Sequence, residues 1–139
     1  MIAHIQGRLV EKNPDHAVIE CNGIGYHIII SLQTFSNIPD KENVKLFTHL
    51  VVREDAQILY GFASKTEREI FKLLISVSGV GPSTAITMLS SMDTEEIQRA
   101  IAGEDVSKIQ SVKGIGIKTA QRVIANRAGD PGRYASGTT

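Results

Sequence analysis

Ser76-Val77-Ser78-Gly79-Val80-Gly81-Pro82-Ser83-Thr84-Ala85 recurs thirty-five residues later as Ser111-Val112-Lys113-Gly114-Ile115-Gly116-Ile117-Lys118-Thr119-Ala120, with six of ten positions identical. An apolar helical pattern follows each copy, so each reads as a helix, a tight Gly-apolar-Gly turn and a second helix. The glycines permit backbone angles closed to other residues and allow another molecule to approach closely. The first amides of the second helix have no intrahelical partner and point outward at the positive end of the helix dipole. That arrangement suits a phosphate oxygen. Two such sites, one repeat apart, match two phosphates of a nucleic-acid backbone better than one small ligand. Contact through phosphates reads shape and not base sequence.

The candidate contact residues are Gly79, Val80, Gly81, Pro82 and Ser83 in the first copy, and Gly114, Ile115, Gly116, Ile117, Lys118 and Thr119 in the second. Arg122 lies one helical turn beyond Lys118, on the same face. Val80 and Ile115 are expected to pack inward and hold their two helices together. A P-loop is excluded, because Ile117 separates Gly116 from Lys118. A dinucleotide fingerprint is excluded too: both copies lack a third glycine and both follow a helix.

Upstream the hydrophobic period is about 2. Strands are expected over Ile2–Val10, with Gly7 a bulge or bend, and over His16–Glu20. Asn22-Gly23 is a hairpin signal. Further strands are expected over Tyr26–Ser31, Val44–Val52 and Gln57–Phe62, with Leu32–Ile38 a short helical turn. Five short strands in about sixty residues suit a small, partly open barrel of the OB type, with an SH3-like barrel as the alternative. At Ser64 the period becomes about 3.6. Ser64 and Glu67 have capping-box spacing, and the first helix is expected to end at Gly79. Pro82 opens the next, which runs to about Ser91. Asp93 or Thr94 caps a third, stopped by Gly103. Val106–Val112 and Ile117 to about Arg127 complete an α+β chain, strands first. The expected domains are a barrel over 1–63 and a tandem hairpin domain over 64–128. From Gly129 to Thr139 the composition is that of a disordered tail or linker.

The chain has 15 Lys+Arg and 15 Asp+Glu over 139 residues, which argues against a general polyelectrolyte binder. Residues 1–63 hold five basic and seven acidic side chains, and residues 64–128 hold nine and seven. Any nucleic-acid contact must therefore be local. One cysteine, Cys21, fits a reducing compartment. No CxxC occurs and the histidines are scattered, so no zinc site is expected. No apolar run reaches the roughly 18–20 residues a membrane span needs.

Glu54-Asp55 separates the last two strands. It reads as a solvent-exposed hairpin tip. Beside a nucleic-acid site the two carboxylates would instead repel phosphates over roughly 8–10 Å, or chelate Mg²⁺ as in a nuclease. No third carboxylate stands nearby in sequence. A helix-hairpin-helix repair enzyme, nuclease or glycosylase, is the competing function, with Asp93 and Lys118 as its only nearby catalytic candidates.

Val51-Val52-Arg53-Glu54-Asp55-Ala56-Gln57-Ile58-Leu59-Tyr60-Gly61-Phe62, with Gly79-Val80-Gly81-Pro82 and Gly114-Ile115-Gly116, resembles the RuvA family over about residues 1–125. The resemblance implies an OB-fold domain, then two helix-hairpin-helix motifs. It implies a bacterial cytoplasmic protein that binds four-way Holliday junctions as a homotetramer, or an octamer on DNA. Its partners would be the RuvB ATPase and the RuvC resolvase, in recombination and repair. It implies no cofactor, no metal, no membrane and no enzymatic activity of the chain's own. Glu54 and Asp55 match the family's acidic pin at the junction centre. Ser83 and Ile117 stand where the family often has lysine, which predicts weaker binding by up to about two phosphate contacts per subunit. Residues after Ala125 depart from the family's usual helix end. The family continues through a linker into a third helical domain that engages RuvB, so for this sequence, ending at Thr139, junction binding without productive RuvB coupling is expected.

Overall fold

The structure is a computed structural model and describes residues 1–39 and 42–126. The tail expected over 129–139 lies outside the described residues, as does Arg127. The chain divides into two compact units between Arg68 and Glu69.

The first unit is built on β1 (His4–Lys12), β2 (His16–Cys21), β3 (Ile24–Ile30), β4 (Val44–Val52) and β5 (Gln57–Phe62). They form a closed barrel in the order β1-β2-β3-β5-β4, the OB-type arrangement. Only β3 and β5 pair in parallel. The chain between them first passes through α1 (Leu32–Asn37) and β4. Closure depends on β1 serving two partners. Its residues His4–Gly7 pair with β4, and from Arg8 on it pairs with β2. Gly7 stands at that handover, where a Cβ would collide with the carbonyl of Glu20. The register irregularity is three residues further on, at Val10 between Leu9 and Glu11, and not at Gly7. Asn22 and Gly23 both have positive φ, 50° and 85°, as a two-residue hairpin turn requires.

Alternation puts one face of each strand inside. Ala17, Ile19, Ile28, Ile30, Val44 and Leu46 form the barrel core, with Ile5 and Ile38. Each fully buried Ile or Leu contributes about 1.5–3 kcal/mol. Along β4 the inward residues Val44, Leu46 and Thr48 alternate with Lys45, Phe47 and His49 on the outer face.

One buried carboxylate ties the helix starts of this unit together. α2 (Lys65–Ile75) begins after Ser64, whose hydroxyl accepts the Glu67 amide at 3.1 Å. That is half of the capping box expected at this spacing. The Glu67 carboxylate turns inward instead. It accepts the Ser31 hydroxyl at 2.6 Å and the Thr34 hydroxyl at 2.5 Å. Ser31 Oγ at the same time caps α1 by accepting the Thr34 amide. Glu67 is 3% exposed and has no ion pair among the described residues. Burial pushes its carboxyl above the ordinary range, against the opposing pull of the Ser31 and Thr34 hydroxyls.

The second unit carries the rest of α2 with α3 (Pro82–Ser91), α4 (Thr94–Ala102), α5 (Val106–Gln110) and α6 (Ile117–Asn126). α4 has the complete capping box: Asp93 accepts the Glu96 amide, and Glu96 accepts the Asp93 amide. α2 stops at Ile75, four residues before Gly79, and α5 stops at Gln110, four before Gly114. The same bonds close both turns. Val77 N–H reaches Leu74 C=O, and Val112 N–H reaches Ile109 C=O. Val80 N–H then returns to Val77 C=O at 3.0 Å, and Ile115 N–H to Val112 C=O at 3.1 Å. Gly79 has φ +93° and Gly114 has φ +91°. Identical positions play matching parts in the two copies. Ser76 and Ser111 hydroxyls donate to the carbonyls three residues back. Val77, Val112, Ala85 and Ala120 are buried, as are Val80 and Ile115 between the glycines.

Two predictions follow from this packing. A Glu carboxyl raised on folding makes the folded state bind more protons than the unfolded state. Its ionisation therefore removes stability as pH rises from the ordinary carboxyl range through the raised folded-state value, with no penalty below that range. Glu67→Gln is expected to remove this component. Urea unfolding of both proteins between pH 4 and 8 measures it, and parallel curves would contradict the assignment. Gly79→Ala and Gly114→Ala each force alanine into a left-handed conformation, at about 1–2 kcal/mol. At Gly79 the added methyl also meets Thr119 Oγ1 at 3.1 Å, whereas nothing lies within 4 Å at Gly114. Gly79→Ala is expected to lower the unfolding free energy more, and equal losses would contradict it.

Candidate nucleic-acid interface

The two turns present the same backbone surface. The first ladder bond of α3 is Ala85 N–H to Gly81 C=O, and that of α6 is Ala120 N–H to Gly116 C=O. The preceding amides, of Gly81, Ser83 and Thr84 and of Gly116, Ile117, Lys118 and Thr119, lie ahead of the ladder. No side chain of Gly81 exists to cap them, and Pro82 at the helix start has no N–H of its own. Gly79, Gly81, Gly114 and Gly116 are exposed, and no atom lies within 4 Å of where a Cβ would stand at Gly81, Gly114 or Gly116. A phosphate could therefore reach these amides. Val80 and Ile115 are 5% and 6% exposed, so only their backbone faces a ligand. Ile117 is half exposed, an apolar residue in the first turn of α6.

The side chains around the two turns differ in charge. The second copy has Lys113, Lys118 and Arg122, all exposed. The first has Ser78, Ser83 and Thr87 at the equivalent positions. Thr87 turns its hydroxyl onto the Ser83 carbonyl at 3.0 Å. Arg122 does not serve its own hairpin alone. Its Nη1 lies 3.4 Å from where a Cβ of Gly79 would be, beside Thr119 Oγ1. From Ser76 to Ser91 the first copy has no basic residue, yet Arg122 Nη1 from α6 lies beside its glycine. Lys113 has no assigned role in the sequence-derived set. Its signal was the repeat itself, where it replaces Ser78 directly before Gly114.

In the other unit, β4 and β5 run in continuous register from Phe47↔Phe62 to Val52↔Gln57. The Arg53 amide donates to the Ala56 carbonyl at 2.7 Å. Glu54 and Asp55 are the two residues at the tip, both exposed. Neither makes a hydrogen bond or ion pair among the described residues. The adjacent Arg53 charge acts on Tyr60, whose hydroxyl burial pushes up. The two carboxylates are thus a compact, unneutralised negative charge. No group of three or more His, Cys, Asp or Glu among the described residues is arranged to hold a metal. No described helix is long and apolar enough to cross a membrane.

Asp93 and Lys118, the catalytic candidates of the enzyme alternative, are not equipped for that role. The Asp93 carboxylate caps α4 at 2.8 Å from the Glu96 amide. Lys118 has no ion pair or hydrogen bond among the described residues.

Comparison with known proteins agrees with both units. Residues 1–61 match the RuvA N terminal domain, and residues 71–127 match the SAM-like helix-hairpin-helix tandem. A Christiangramia forsetii protein named Holliday junction branch migration complex subunit RuvA is 68% identical over 89% of this chain and 64% of its own length. A Flavobacterium psychrophilum protein of the same name is 62% identical over the same shares. The chain thus spans just under two thirds of these relatives. The Polaromonas sp. protein of that name is 50% identical over 95% of this chain and 70% of its own length. With both halves matched in order by these domains, and with half its residues identical to a relative of which it covers more than two thirds, the chain belongs to the RuvA family.

Proposed function

We propose that this chain is a structure-specific, non-enzymatic binder of four-way DNA junctions. The observation that carries the reading is the duplicated hairpin. Two turns with the same hydrogen bonds and the same glycine φ present two helix starts with unladdered amides. The relatives' name, which places them in a Holliday junction branch migration complex, supports the choice of a junction over other nucleic acids. In the turn shaped by Gly79, Val80 and Pro82, the amides of Gly81, Ser83 and Thr84, which lie ahead of the helix ladder, would hold one phosphate group, with Ser83 adding a hydroxyl. In the turn shaped by Gly114 and Ile115, the amides of Gly116, Ile117, Lys118 and Thr119 would hold the second, with the Lys118 and Arg122 side chains supplying charge. A hairpin gripped through backbone amides is indifferent to base identity.

Glu54 and Asp55 take the opposite role. A phosphate brought near two unneutralised carboxylates is repelled over about one Debye length. Gathered at the centre of a four-fold assembly, such tips would keep the strands of an open junction apart. The assembly would be a homotetramer, or an octamer closing over the DNA. Strand movement would be driven by a separate RuvB ATPase in the bacterial cytoplasm, with RuvC resolving the product. No observation on this chain favours the nuclease or glycosylase alternative.

Two experiments test the reading. The chain is expected to shift a labelled four-way junction at a concentration at least about tenfold below that needed for linear duplex of the same sequence, a difference of about 1.4 kcal/mol. Equal affinities in a gel-shift titration would overturn it. Glu54→Gln combined with Asp55→Asn is expected to leave junction affinity equal or higher and to narrow the gap to duplex. A large loss of junction affinity would mean that the carboxylates attract or position something, and the repulsive role would fall.

A further inference from the structure

The barrel unit holds more acidic than basic residues, yet three of its cations converge on one aromatic ring. Lys45 Nζ lies 5.3 Å from the centre of the Phe47 ring, Lys65 Nζ 5.8 Å and the Arg68 guanidinium 5.7 Å. Lys45 and Phe47 share the outer face of β4, two residues apart. Lys65 and Arg68 come from the first turn of α2, i and i+3 on one helix face. Arg68 is fixed there by donating to the Ala3 carbonyl at 2.9 Å. Neither Lys45 nor Lys65 makes an ion pair among the described residues. The face of one phenyl ring offsets part of the repulsion among three like charges. It supplies no negative charge. Lys45 and Lys65 therefore retain a field that attracts a polyanion.

Its place on the barrel adds a second observation. The β4–β5 ladder starts at Phe47 and ends at Val52, directly before the Glu54–Asp55 tip. At about 3.3–3.4 Å per residue the ladder is roughly 17 Å long. The barrel unit is thus electrostatically bipolar along β4, with three cations at one end and two bare carboxylates at the other. A nucleic-acid strand laid along such an element is drawn to one end and pushed from the other.

We propose that Lys45, Lys65 and Arg68, gathered around Phe47, form an additional contact for the nucleic-acid phosphate backbone on the barrel unit, separate from the two hairpins. The proposal rests on the junction-binding reading and extends it to a second surface. Each phosphate neutralised by such a cation releases condensed counterions and adds about 0.9 to the slope of log K against log[salt].

The test is junction binding across a salt series by the whole chain, by Lys45→Gln/Lys65→Gln, and by Lys45→Arg/Lys65→Arg. Arg8→Gln is the control, because Arg8 is already paired with Glu20 at 2.8 Å. The glutamine pair is expected to lower the slope by about 1–2 per bound chain, with the same thermal melting curve as the parent. The arginine pair, which keeps both charges, is expected to retain the parent slope, as is Arg8→Gln. A parent that binds with a steep slope and a glutamine pair with the same slope would overturn the second surface and leave the hairpin reading standing. An unchanged slope accompanied by a changed oligomer mass in light scattering would overturn it in favour of a contact between copies of this chain. A parent that binds no DNA would overturn both readings.

Discussion

One backbone hydrogen bond completes each hairpin turn: the residue between the glycines donates its N–H to the carbonyl of the valine three positions back. Two conditions make that bond possible. The residue before it must adopt a left-handed φ near +90°, where an L side chain is strained. The residue itself must be apolar and small enough to enter the core, as Val80 and Ile115 do. Once the bond forms, the chain leaves the turn with the next helix already aimed. Its first amides face outward because the ladder begins only at Gly81 and Gly116. The outward-facing amides of the proposed phosphate site are thus a consequence of closing the turn and need no basic side chain. This is why the first copy can lack lysine at Ser78 and Ser83 and retain the same backbone geometry.

The difference in charge between the copies then acquires a structural meaning. Helix-start amides orient a phosphate, but a mobile cation nearby raises the attraction at longer range. The second hairpin has its own cations in Lys113 and Lys118. Beside the first stands Arg122, a residue of the second hairpin's helix, whose Nη1 lies 3.4 Å from where a Cβ of Gly79 would be. The close approach of α6 to that turn requires a glycine at position 79 for a reason beyond φ, since a methyl there would meet Thr119. The two hairpins therefore meet at Gly79, beside Thr119 and Arg122, and are also joined by the hydrogen bond that Asn126 Nδ2 donates to Ser76 Oγ at 3.1 Å.

Most of the fold was legible because its signals are local. Asn22-Gly23, the alternation through Val44–Val52 and the repeated Ser-Val-x-Gly-x-Gly each determine the backbone within a few residues. The places where sequence fell short involve partners distant along the chain. Ser64-x-x-Glu67 has the spacing of a capping box, but Ser31 and Thr34 compete for the carboxylate and take it. Asp93-x-x-Glu96 has no such competitor and forms the box in full. Gly7 looked like a bulge because glycine in a strand usually marks one; its role is instead to let β2 approach where β1 changes partners. In the hairpins, the repeat located the two Gly-apolar-Gly turns and the helices that follow them, whereas α2 ends at Ile75 and not at Gly79, because the chain leaves the helix through a further bonded turn before the glycine. The reach of Arg122 to Gly79 and the convergence on Phe47 were not legible, because charged residues at those spacings ordinarily read as a solvated face.

The barrel's own construction explains why its charges can sit at opposite ends. A closed barrel of five strands has a filled core, and its polar residues are confined to the outer face and the rims. β4 and β5 continue in unbroken antiparallel register to the tip, so the two carboxylates are held on a stiff two-stranded arm and not on a loose loop. At the other end, the buried Glu67 anchors the start of α2 to α1. That start is the turn bearing Lys65 and Arg68. The desolvated carboxylate has a clear structural use, since a helix start placed by two short hydroxyl bonds fixes the direction of the cations that follow it. The same segment then continues as the helix leading into the first hairpin. The first turn of α2 thus belongs to the packing of the barrel. A change at Glu67 would act on charge placement as well as on stability.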